Sequence, residues 1–230
     1  MASGDLGCVV VTGGASGLGA AVAQRVADEG GRAIVLDRIE PRFPVERELV
    51  DLADTAAAEA TVGRVAARHG RLDAVVACAG IDSCGALVDV DRERWERVVS
   101  VNLLGTAAVV RAALPHLRRT HGKVLTVAST LGLRALPDAT AYCASKFGVI
   151  GFTRALAAET AGAVGVTLLI PGGMQTAFFD GRPDQYRPPP GAELNDPKVV
   201  ADAVLFALRQ PPGCEVREVV VAPSREPSWP

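Results

Sequence analysis

The sequence predicts an α/β protein with a single domain over residues 1–230, in which helices cover both faces of a doubly wound parallel sheet of about seven strands. Two observations indicate this fold. Apolar runs of strand length alternate with helical stretches along nearly the whole chain, as in successive strand–helix units. The first run, Cys8–Thr12, leads straight into a glycine-rich turn and a helix, and the second run ends in an acid. The chain is also long enough for one domain with a sizeable core.

Each element follows from a local signal. The predicted strands are short apolar runs, at residues 8–12, 33–37, a run ending at 50–51, 74–79, 123–128, 166–170 and 218–221. The predicted helices are longer periodic stretches, at residues 20–29, 54–69, 91–119, 140–160 and from 196 onward. Asp54 and Asp196 are suited to cap helices, and Pro197 suits the first position of the last one.

Three segments lie outside this pattern. Residues 38–48 contain two prolines, which oppose a long helix there. Residues 173–195 are rich in proline and glycine, which predicts a mobile lid loop over a substrate. Residues 224–230 are predicted to form a loose tail.

The glycine-rich turn at residues 13–19 has the context of a dinucleotide site, because it joins a buried strand to a helix. Gly13 permits a tight turn, Gly17 lets the backbone approach a pyrophosphate, and Gly19 permits close packing of helix on strand. The start of the helix supplies unpaired N–H groups and a partial positive charge for phosphate oxygens. The loop residues expected at the cofactor are Gly13, Ala15, Ser16, Gly17, Leu18 and Gly19.

Tyr142 and Lys146 stand four residues apart in a predicted helix, which places the phenol and the ammonium on one face. An ammonium at that distance favours phenolate, so we expect the pKa of Tyr142 to lie below its usual value of about 10. Such a tyrosine can act as general acid or base when a carbonyl and an alcohol interconvert. A tyrosine and a lysine four residues apart occur often by chance. The pair supports a catalytic role here because a predicted nucleotide site precedes it in the sequence.

The composition argues against several classes of partner. The net charge is −2 and the pI is about 6.0, with no sustained basic run, so neither nucleic acid nor an anionic membrane surface is expected. No apolar stretch is expected to reach the ~18 residues of a spanning helix, and the N-terminus does not resemble a signal peptide. The five cysteines are scattered and odd in number, which indicates reduced thiols in a cytoplasmic protein. The three histidines lack metal-ligand spacing, so no metal site is expected.

Taken together, these residues resemble the short-chain dehydrogenase/reductase family, in its single-domain branch, over nearly the whole chain. Thr12-Gly13-x-x-x-Gly17-x-Gly19 matches the cofactor motif of that branch, whose fold is a Rossmann-type sheet. Four residues match the family's catalytic set in order and spacing: Asn102, Ser129, Tyr142 and Lys146. Three more match the turn beside the nicotinamide and the hydroxyl that follows it: Pro171, Gly172 and Thr176.

The resemblance implies a role for each catalytic residue. Tyr142 would exchange a proton with the substrate oxygen, and Ser129 would hydrogen-bond that oxygen. Lys146 would lower the pKa of the tyrosine and hold the nicotinamide ribose. Asn102 would anchor a helix distortion and a water chain to solvent. The resemblance also implies a homodimer or homotetramer that pairs through the long helices at residues 91–119 and 140–160.

Cofactor preference depends on the end of the second strand. Asp37 lies about 20 residues beyond the glycines, where a carboxylate accepts hydrogen bonds from the adenosine ribose and repels a 2′-phosphate. Arg38 follows directly and could instead bind that phosphate, so we expect NAD while NADP stays possible. By resemblance, other cofactor contacts are Asp51, Leu52, Ala79 and Gly80. The family commonly has Asn-Asn-Ala-Gly after the fourth strand, whereas this chain has Ala77-Cys78-Ala79-Gly80 and lacks those two amides.

The substrate side is expected to be an apolar wall with few charges. Its residues come from the segments near 131–139 and 174–195, namely Leu131, Leu133, Leu136, Met174, Phe178 and Phe179. The predicted substrate contacts are Ser129, Leu131, Tyr142, Gly173, Met174 and Phe178, which favours an apolar or alicyclic alcohol or ketone. Two alternatives stay open: an NADPH-linked reductase of acyl-carrier or polyketide intermediates, and a catalytically silent dinucleotide sensor. The intact catalytic set argues against the sensor.

Overall fold

A computed structural model describes residues 6–229 and contains one parallel sheet with helices on both faces. Within those residues the sheet has seven strands in the order β3-β2-β1-β4-β5-β6-β7. The strands are β1 (Cys8–Thr12), β2 (Arg32–Asp37), β3 (Glu46–Leu49), β4 (Ala74–Ala77), β5 (Lys123–Val127), β6 (Gly165–Pro171) and β7 (Glu218–Val221). The helices are α1 (Gly17–Asp28), α2 (Thr55–His69), α3 (Arg92–Val99), α4 (Thr106–Thr120), α5 (Thr140–Glu159) and α6 (Pro197–Leu208). The predicted fold class is therefore confirmed.

The core lies on both faces of the sheet because successive strand residues point in opposite directions. In β1, Val9 and Val11 pack with residues of α1 and α6 on one face, while Val10 packs with residues of α2 and α4 on the other. All three valines are fully buried. A strand covered on both faces reads as a continuous apolar run, which is why the sequence predicts it.

The predicted helix caps are present. The Asp54 carboxylate accepts a hydrogen bond from Ala57 N at 3.0 Å and begins α2. The Asp196 carboxylate accepts one from Lys198 N at 2.8 Å, with Pro197 in the first turn of α6. As expected from its prolines, the segment between β2 and β3 contains no helix.

The predicted helix at 91–119 is interrupted. α3 and α4 are joined by a turn of π-helix at Ser100–Gly105, which contains Asn102. The combined run Arg92–Thr120 has an 18-residue window of mean hydropathy 1.6, so by length and composition it could cross a membrane. This corrects the expectation that no stretch would reach that length. Half of the window is buried inside the protein, as in a core helix that packs on its own domain.

Two segments beyond the regular elements make defined contacts with the rest of the protein, and the predicted mobility of residues 173–195 stays a prediction. Residues 173–195 contain short 3₁₀ turns at Ala177–Phe179 and Asp184–Tyr186. The ends of this segment pair with each other, since Asn195 N donates to Gly173 O at 2.9 Å. Instead of forming a loose tail, residues 226–228 contact the rest of the protein. Glu226 accepts a hydrogen bond from Gly173 N at 2.7 Å, and the Ser228 hydroxyl lies 2.6 Å from that of Thr130.

Candidate active site

A cleft of about 1160 Å³ lies at the carboxyl ends of the parallel strands, where the sequence places the site. It holds nearly every predicted contact, namely Gly13, Ser16, Gly17, Leu18, Gly19, Asp37, Arg38, Asp51, Leu52, Ala79, Gly80, Ser129, Leu131, Tyr142, Lys146, Pro171, Gly172, Gly173, Met174, Thr176 and Phe178. Ala15 and Asn102 act one step behind this lining, through hydrogen bonds to residues that form it or adjoin it. Leu133 was expected in the substrate wall but packs on a core cluster with Val149 and Ile150.

The glycine turn is shaped by close backbone approach. Gly13 has φ +65°, and a Cβ there would lie 2.7 Å from Ala79 Cα. A Cβ on Gly19 would lie 2.3 Å from the carbonyl oxygen of Gly13. Ser16 stands before the first turn of α1 and its side chain caps none of the N–H groups there, while residues 17–19 of that turn line the cleft. A dinucleotide pyrophosphate fits this arrangement, since it needs backbone donors and no obstructing Cβ.

Asp37 is fixed at the rim of the cleft by backbone donors. Its Oδ2 accepts a hydrogen bond from Ala15 N at 3.0 Å, and its Oδ1 accepts one from Ile39 N at 3.2 Å. The carboxylate thus joins the glycine turn to the end of β2. This geometry gives Ala15 its place in the site, through its N–H group.

The far end of the cofactor cleft contains a residue that the sequence did not single out. Arg97, on α3, forms an ion pair with Asp51 at 2.7 Å and lines the cleft. The hydrogen bond from Arg97 holds the pKa of Asp51 below its usual value, with help from Ala53 N and the charges of Arg97 and Arg38. No local motif links Arg97 to Asp51, because the two are 46 residues apart in sequence.

The turn after β4 departs from the family pattern but is still tied to the glycine loop. Thr12 Oγ1 accepts a hydrogen bond from Ala79 N at 3.1 Å. Cys78 stands where an amide is common, and burial raises the pKa of its thiol to about 12. A neutral thiol in this position is a small apolar group with weak hydrogen bonding.

Asn102, in the π-turn, joins the loop after β4 to α5. Its Oδ1 accepts from Ile81 N at 2.8 Å, while its Nδ2 donates to Ile81 O at 2.9 Å and to Ser145 Oγ at 3.0 Å. Ser145 Oγ in turn donates to Tyr142 O at 2.8 Å. The π-turn therefore accompanies an asparagine that anchors the loop after β4 to α5, and π-turns of this kind are common at functional sites.

Tyr142 and Lys146 lie on one face of α5, as the spacing predicts. Lys146 Nζ is 5.5 Å from the centre of the Tyr142 ring and donates a hydrogen bond to Val127 O at 2.9 Å. Both side chains are buried, and so are Ser129 and Asn102. A Cβ on Gly80 would lie 3.4 Å from Lys146 Nζ, so the glycine leaves room beside the ammonium.

The pKa values of Tyr142 and Lys146 do not follow the expectation from the sequence. Burial raises the pKa of Tyr142 above its usual value, and the hydrogen bond with Ser129 opposes the rise only in part. Burial also lowers the pKa of Lys146 to about 8. Among nearby charges, those of Asp82 and Cys143 raise the pKa of Tyr142 and that of Arg182 lowers it. The expected lowering of this pKa is therefore wrong, because the phenol is removed from water.

Asp82 and Arg182 form a largely buried ion pair that the sequence does not indicate. Arg182 Nη2 lies 2.9 Å from Asp82 Oδ2, and their side chains are 15% and 6% exposed. Both line the substrate end of the cleft together with Asp138 and Glu226. The expectation of a wall with few charges is therefore corrected: the aromatic and leucine side chains are present, but a charged pair lies among them. The pair joins residues 100 positions apart, a separation at which no motif can show them as neighbours.

Comparison with known proteins identifies the family. The family model described as short chain dehydrogenase matches residues 7–187, well over half of the chain. The chain belongs to this family. As a short-chain dehydrogenase it is an NAD(P)-dependent oxidoreductase that interconverts alcohols and ketones at a CH–OH group.

Two curated relatives and one solved structure illustrate the similarity. The chain is 33% identical to glycine betaine reductase ATRR of Emericella nidulans over 95% of its own length, although it spans only 19% of that protein. It is 30% identical to meso-2,3-butanediol dehydrogenase of Serratia marcescens, over 78% of this chain and 76% of the relative. An alcohol dehydrogenase from the archaeon Thermococcus sibiricus, complexed with 5-hydroxy-NADP, superposes with a TM-score of 0.84 at 26% identity, over 93% of this chain and 95% of the other.

Proposed function

We propose that this short-chain dehydrogenase oxidises a neutral secondary alcohol to its ketone, or reduces the ketone, with Tyr142 as general acid and base and NAD as the preferred cofactor. The observation that carries the proposal is the convergence of Ser129, Tyr142 and Lys146, all buried, at one end of a cleft whose other end is a glycine turn.

The positions of Tyr142, Ser129 and Asn102 support a separate role for each. In reduction, the phenol of Tyr142 donates its proton to the carbonyl oxygen, and in oxidation the phenolate takes the hydroxyl proton. Ser129, which is hydrogen-bonded to Tyr142, orients the substrate oxygen towards the phenol. The nicotinamide supplies or accepts the hydride when it is bound. Asn102 holds the loop after β4 against α5 and thereby fixes the helix that carries Tyr142.

Protonation favours the acid role near neutral pH. Burial raises the pKa of Tyr142, so the phenol carries its proton and is ready for reduction. Oxidation needs the phenolate, and we therefore expect its rate to rise with pH through the pKa of Tyr142 in the complex. Burial lowers the pKa of Lys146 to about 8, so its ammonium loses its proton at mildly alkaline pH.

NAD is favoured by Asp37. Its carboxylate stands at the rim of the cleft, held by the N–H groups of Ala15 and Ile39, where it can accept from ribose hydroxyls and repel a 2′-phosphate. Asp37→Ala should raise the affinity for NADP relative to NAD by on the order of tenfold, about 1.4 kcal/mol. Fluorescence titration of NADH and NADPH measures that ratio, and Asp54→Ala, which alters a cap outside the cleft, serves as the control. An unchanged ratio would remove Asp37 from the argument.

The substrate is inferred to be neutral and largely apolar. Leu131, Leu136, Met174 and Phe178 line the cleft that contains Tyr142, and the Asp82–Arg182 pair there neutralises itself. The Asp138 and Glu226 carboxylates in the lining accept hydrogen bonds from Tyr186 and Gly173 N. The butanediol dehydrogenase among the relatives supports a small secondary alcohol as the first substrate to examine.

We also infer a cytoplasmic homodimer or homotetramer. Phe147 and Leu104, on α5 and in the π-turn before α4, are 46% and 49% exposed, which leaves apolar surface on the helices expected to pair. All five cysteines are free thiols, which is consistent with a reducing compartment. Light scattering coupled to size exclusion gives the assembly state.

A two-way screen tests the function. NAD and NADP are each offered with a panel of neutral secondary alcohols, including meso-2,3-butanediol, and with carboxylate-bearing alcohols such as 3-hydroxybutanoate. NADH and NADPH are each offered with the corresponding ketones and with 3-oxoacyl thioesters, and absorbance reports the reduced cofactor in both directions. We expect turnover with NAD and neutral alcohols. Cofactor binding without turnover on any alcohol or ketone would indicate a silent dinucleotide sensor, and a preference for NADPH with acyl thioesters would indicate the carrier-linked reductase.

A further inference from the structure

Three segments of the chain meet above Tyr142 and are joined by side chains. Arg182, in the segment 173–195, pairs with Asp82 in the loop after β4 at 2.9 Å. Tyr186, in the same segment, donates a hydrogen bond to Asp138 Oδ2 at 3.1 Å. Asp138 O also accepts from Gly85 N at 2.8 Å, so the loops after β4 and β5 are tied to each other as well.

The Asp82–Arg182 pair, here named the latch, is buried and well supported. Asp82 Oδ1 accepts from Ser83 N at 2.6 Å, and Oδ2 accepts from Cys84 Sγ at 3.3 Å in addition to Arg182. By contrast, Arg187 in the same segment pairs with Asp184 at 3.0 Å while their side chains are 49% and 94% exposed. Exposed pairs contribute little, whereas breaking a buried pair leaves a charge without a partner. The latch is thus the strong ionic connection of this segment.

Arg182 also fixes the aromatic rings that cover the catalytic tyrosine. Its guanidinium lies 4.6 Å from the ring centre of Phe178 and 4.8 Å from that of Phe179. The Phe178 ring in turn lies 5.5 Å from the Tyr142 ring. Cation–π contacts of a desolvated guanidinium are favourable. The position of Phe178 over Tyr142 therefore depends on Arg182, and the position of Arg182 depends on Asp82.

We propose that Asp82 and Arg182 latch the segment 173–195 over Tyr142, that Arg182 is a positioning residue for proton and hydride transfer, and that the closed latch restricts the site to uncharged substrates. The last point follows because the pair neutralises its own charge in a buried setting, while a substrate carboxylate would compete with Asp82 for the guanidinium. The inference rests on the proposed role of Tyr142, and its first test below does not involve turnover.

The first test measures opening of the segment in the full-length, cofactor-free protein. Amide hydrogen exchange of residues 178–186 is compared among the wild type, Asp82→Asn, Arg182→Gln and Arg187→Gln. Exchange in the first two variants should accelerate roughly tenfold or more, because a locally opened state becomes more populated. Arg187→Gln, which alters an exposed pair on the same segment, should exchange as the wild type does. Wild-type exchange in both latch variants would overturn the latch.

The second test separates positioning from a general loss of structure. With the best neutral alcohol from the panel, Arg182→Gln should lower kcat/KM on the order of 10- to 100-fold, as expected for a misplaced substrate. The NAD dissociation constant should stay unchanged, since the glycine turn and Asp37 lie at the other end of the cleft. Arg182→Lys, which keeps the charge, should recover part of the activity. If NAD affinity and activity fell together in every latch variant, including Arg182→Lys, the residues would be structural and the positioning role would be rejected.

Substrate charge provides the third readout. The wild type should turn over neutral alcohols in preference to 3-hydroxybutanoate. If instead it preferred the carboxylate, and Arg182→Gln erased that preference without faster exchange of residues 178–186, Arg182 would be a substrate ligand and the latch would be wrong. Failure of the proposed function is distinguishable from both results, because Tyr142→Phe would then retain turnover whatever the exchange data showed.

Discussion

The two ends of the cleft differ in whether backbone groups or side chains form them. The cofactor end consists mainly of backbone: a glycine turn, the start of α1, and a carboxylate held by two N–H groups. The substrate end consists of side chains brought together from distant segments, such as Asp82 with Arg182 and Thr130 with Ser228. Backbone geometry tolerates few substitutions at particular glycines, because a Cβ there would overlap neighbouring backbone atoms. We therefore expect backbone groups at one end of the cleft to determine cofactor binding and side chains at the other end to determine substrate binding.

The largest expected effect lies where the two ends meet. Tyr142→Phe removes one oxygen without altering the ring that packs on Phe178. Loss of a general acid or base should lower kcat by about 10²- to 10⁴-fold. The NAD dissociation constant, measured by titration calorimetry, should hardly change. If NAD affinity fell in parallel, Tyr142 would contribute to cofactor binding, and the proposed separation of the two ends would be contradicted.

The next effect is specific to the cofactor end. In Gly19→Ala the new Cβ would lie 2.3 Å from Gly13 O, which is backbone and cannot easily move aside. Overpacking of this kind costs about 1–3 kcal/mol, and we expect it to appear mainly as weaker NAD binding. Hydrogen exchange of residues 178–186 at the substrate end should remain as in the wild type.

Gly63→Ala is the matched control for that change. Gly63 lies within α2, and a Cβ there would meet no heavy atom within 4 Å. Alanine should raise the free energy of unfolding by about 0.5–1 kcal/mol, through helix propensity alone, and leave NAD affinity unchanged. Weaker NAD binding in Gly63→Ala would show that glycine replacement acts on the whole domain and not on the turn.

This division also explains how much the sequence could predict. The first strand and the glycine turn follow from local patterns, since Val9 to Val11 form a continuous apolar run buried on both faces and Gly13 and Gly19 stand in the turn that follows it. Tyr142 and Lys146 follow from helical spacing. Their pKa values do not, because burial by the whole surrounding structure outweighs the local charge.

The contacts at the substrate end could not be predicted from the sequence for a related reason. The tail was predicted to be loose because its composition contains no periodic pattern, yet Glu226 and Ser228 reach Gly173 and Thr130. The partners of these bonds are 53 and 98 residues away. Contacts of this kind depend on the completed fold, and a single sequence carries no spacing rule for them.

Asn102 joins the loop after β4 to α5, so its replacement should lower the free energy of unfolding. Asn102→Ala removes bonds to both the N–H and the C=O of Ile81 and one to Ser145. Buried groups left without partners cost about 1–3 kcal/mol, so the free energy of unfolding in urea should fall by about that amount. Asn195→Ala is a useful contrast, because Asn195 Nδ2 is buried without a hydrogen-bond partner among the described residues. The contrast would fail if both variants were destabilised equally.

A further expected effect is a pH dependence of stability that isolates Lys146. In the folded chain burial lowers its pKa to about 8, from an ordinary value of 10.5, so between these values the unfolded chain binds more protons. The free energy of unfolding should therefore rise with pH across that window, by at most about 1.4 kcal/mol per pH unit for one proton. Buried thiols such as Cys78, with pKa raised to about 12, act in the opposite direction above pH 9. The difference between wild type and Lys146→Met in urea unfolding cancels those other groups, and a difference that stays flat from pH 8 to 10 would show that Lys146 keeps its ordinary pKa in the folded chain.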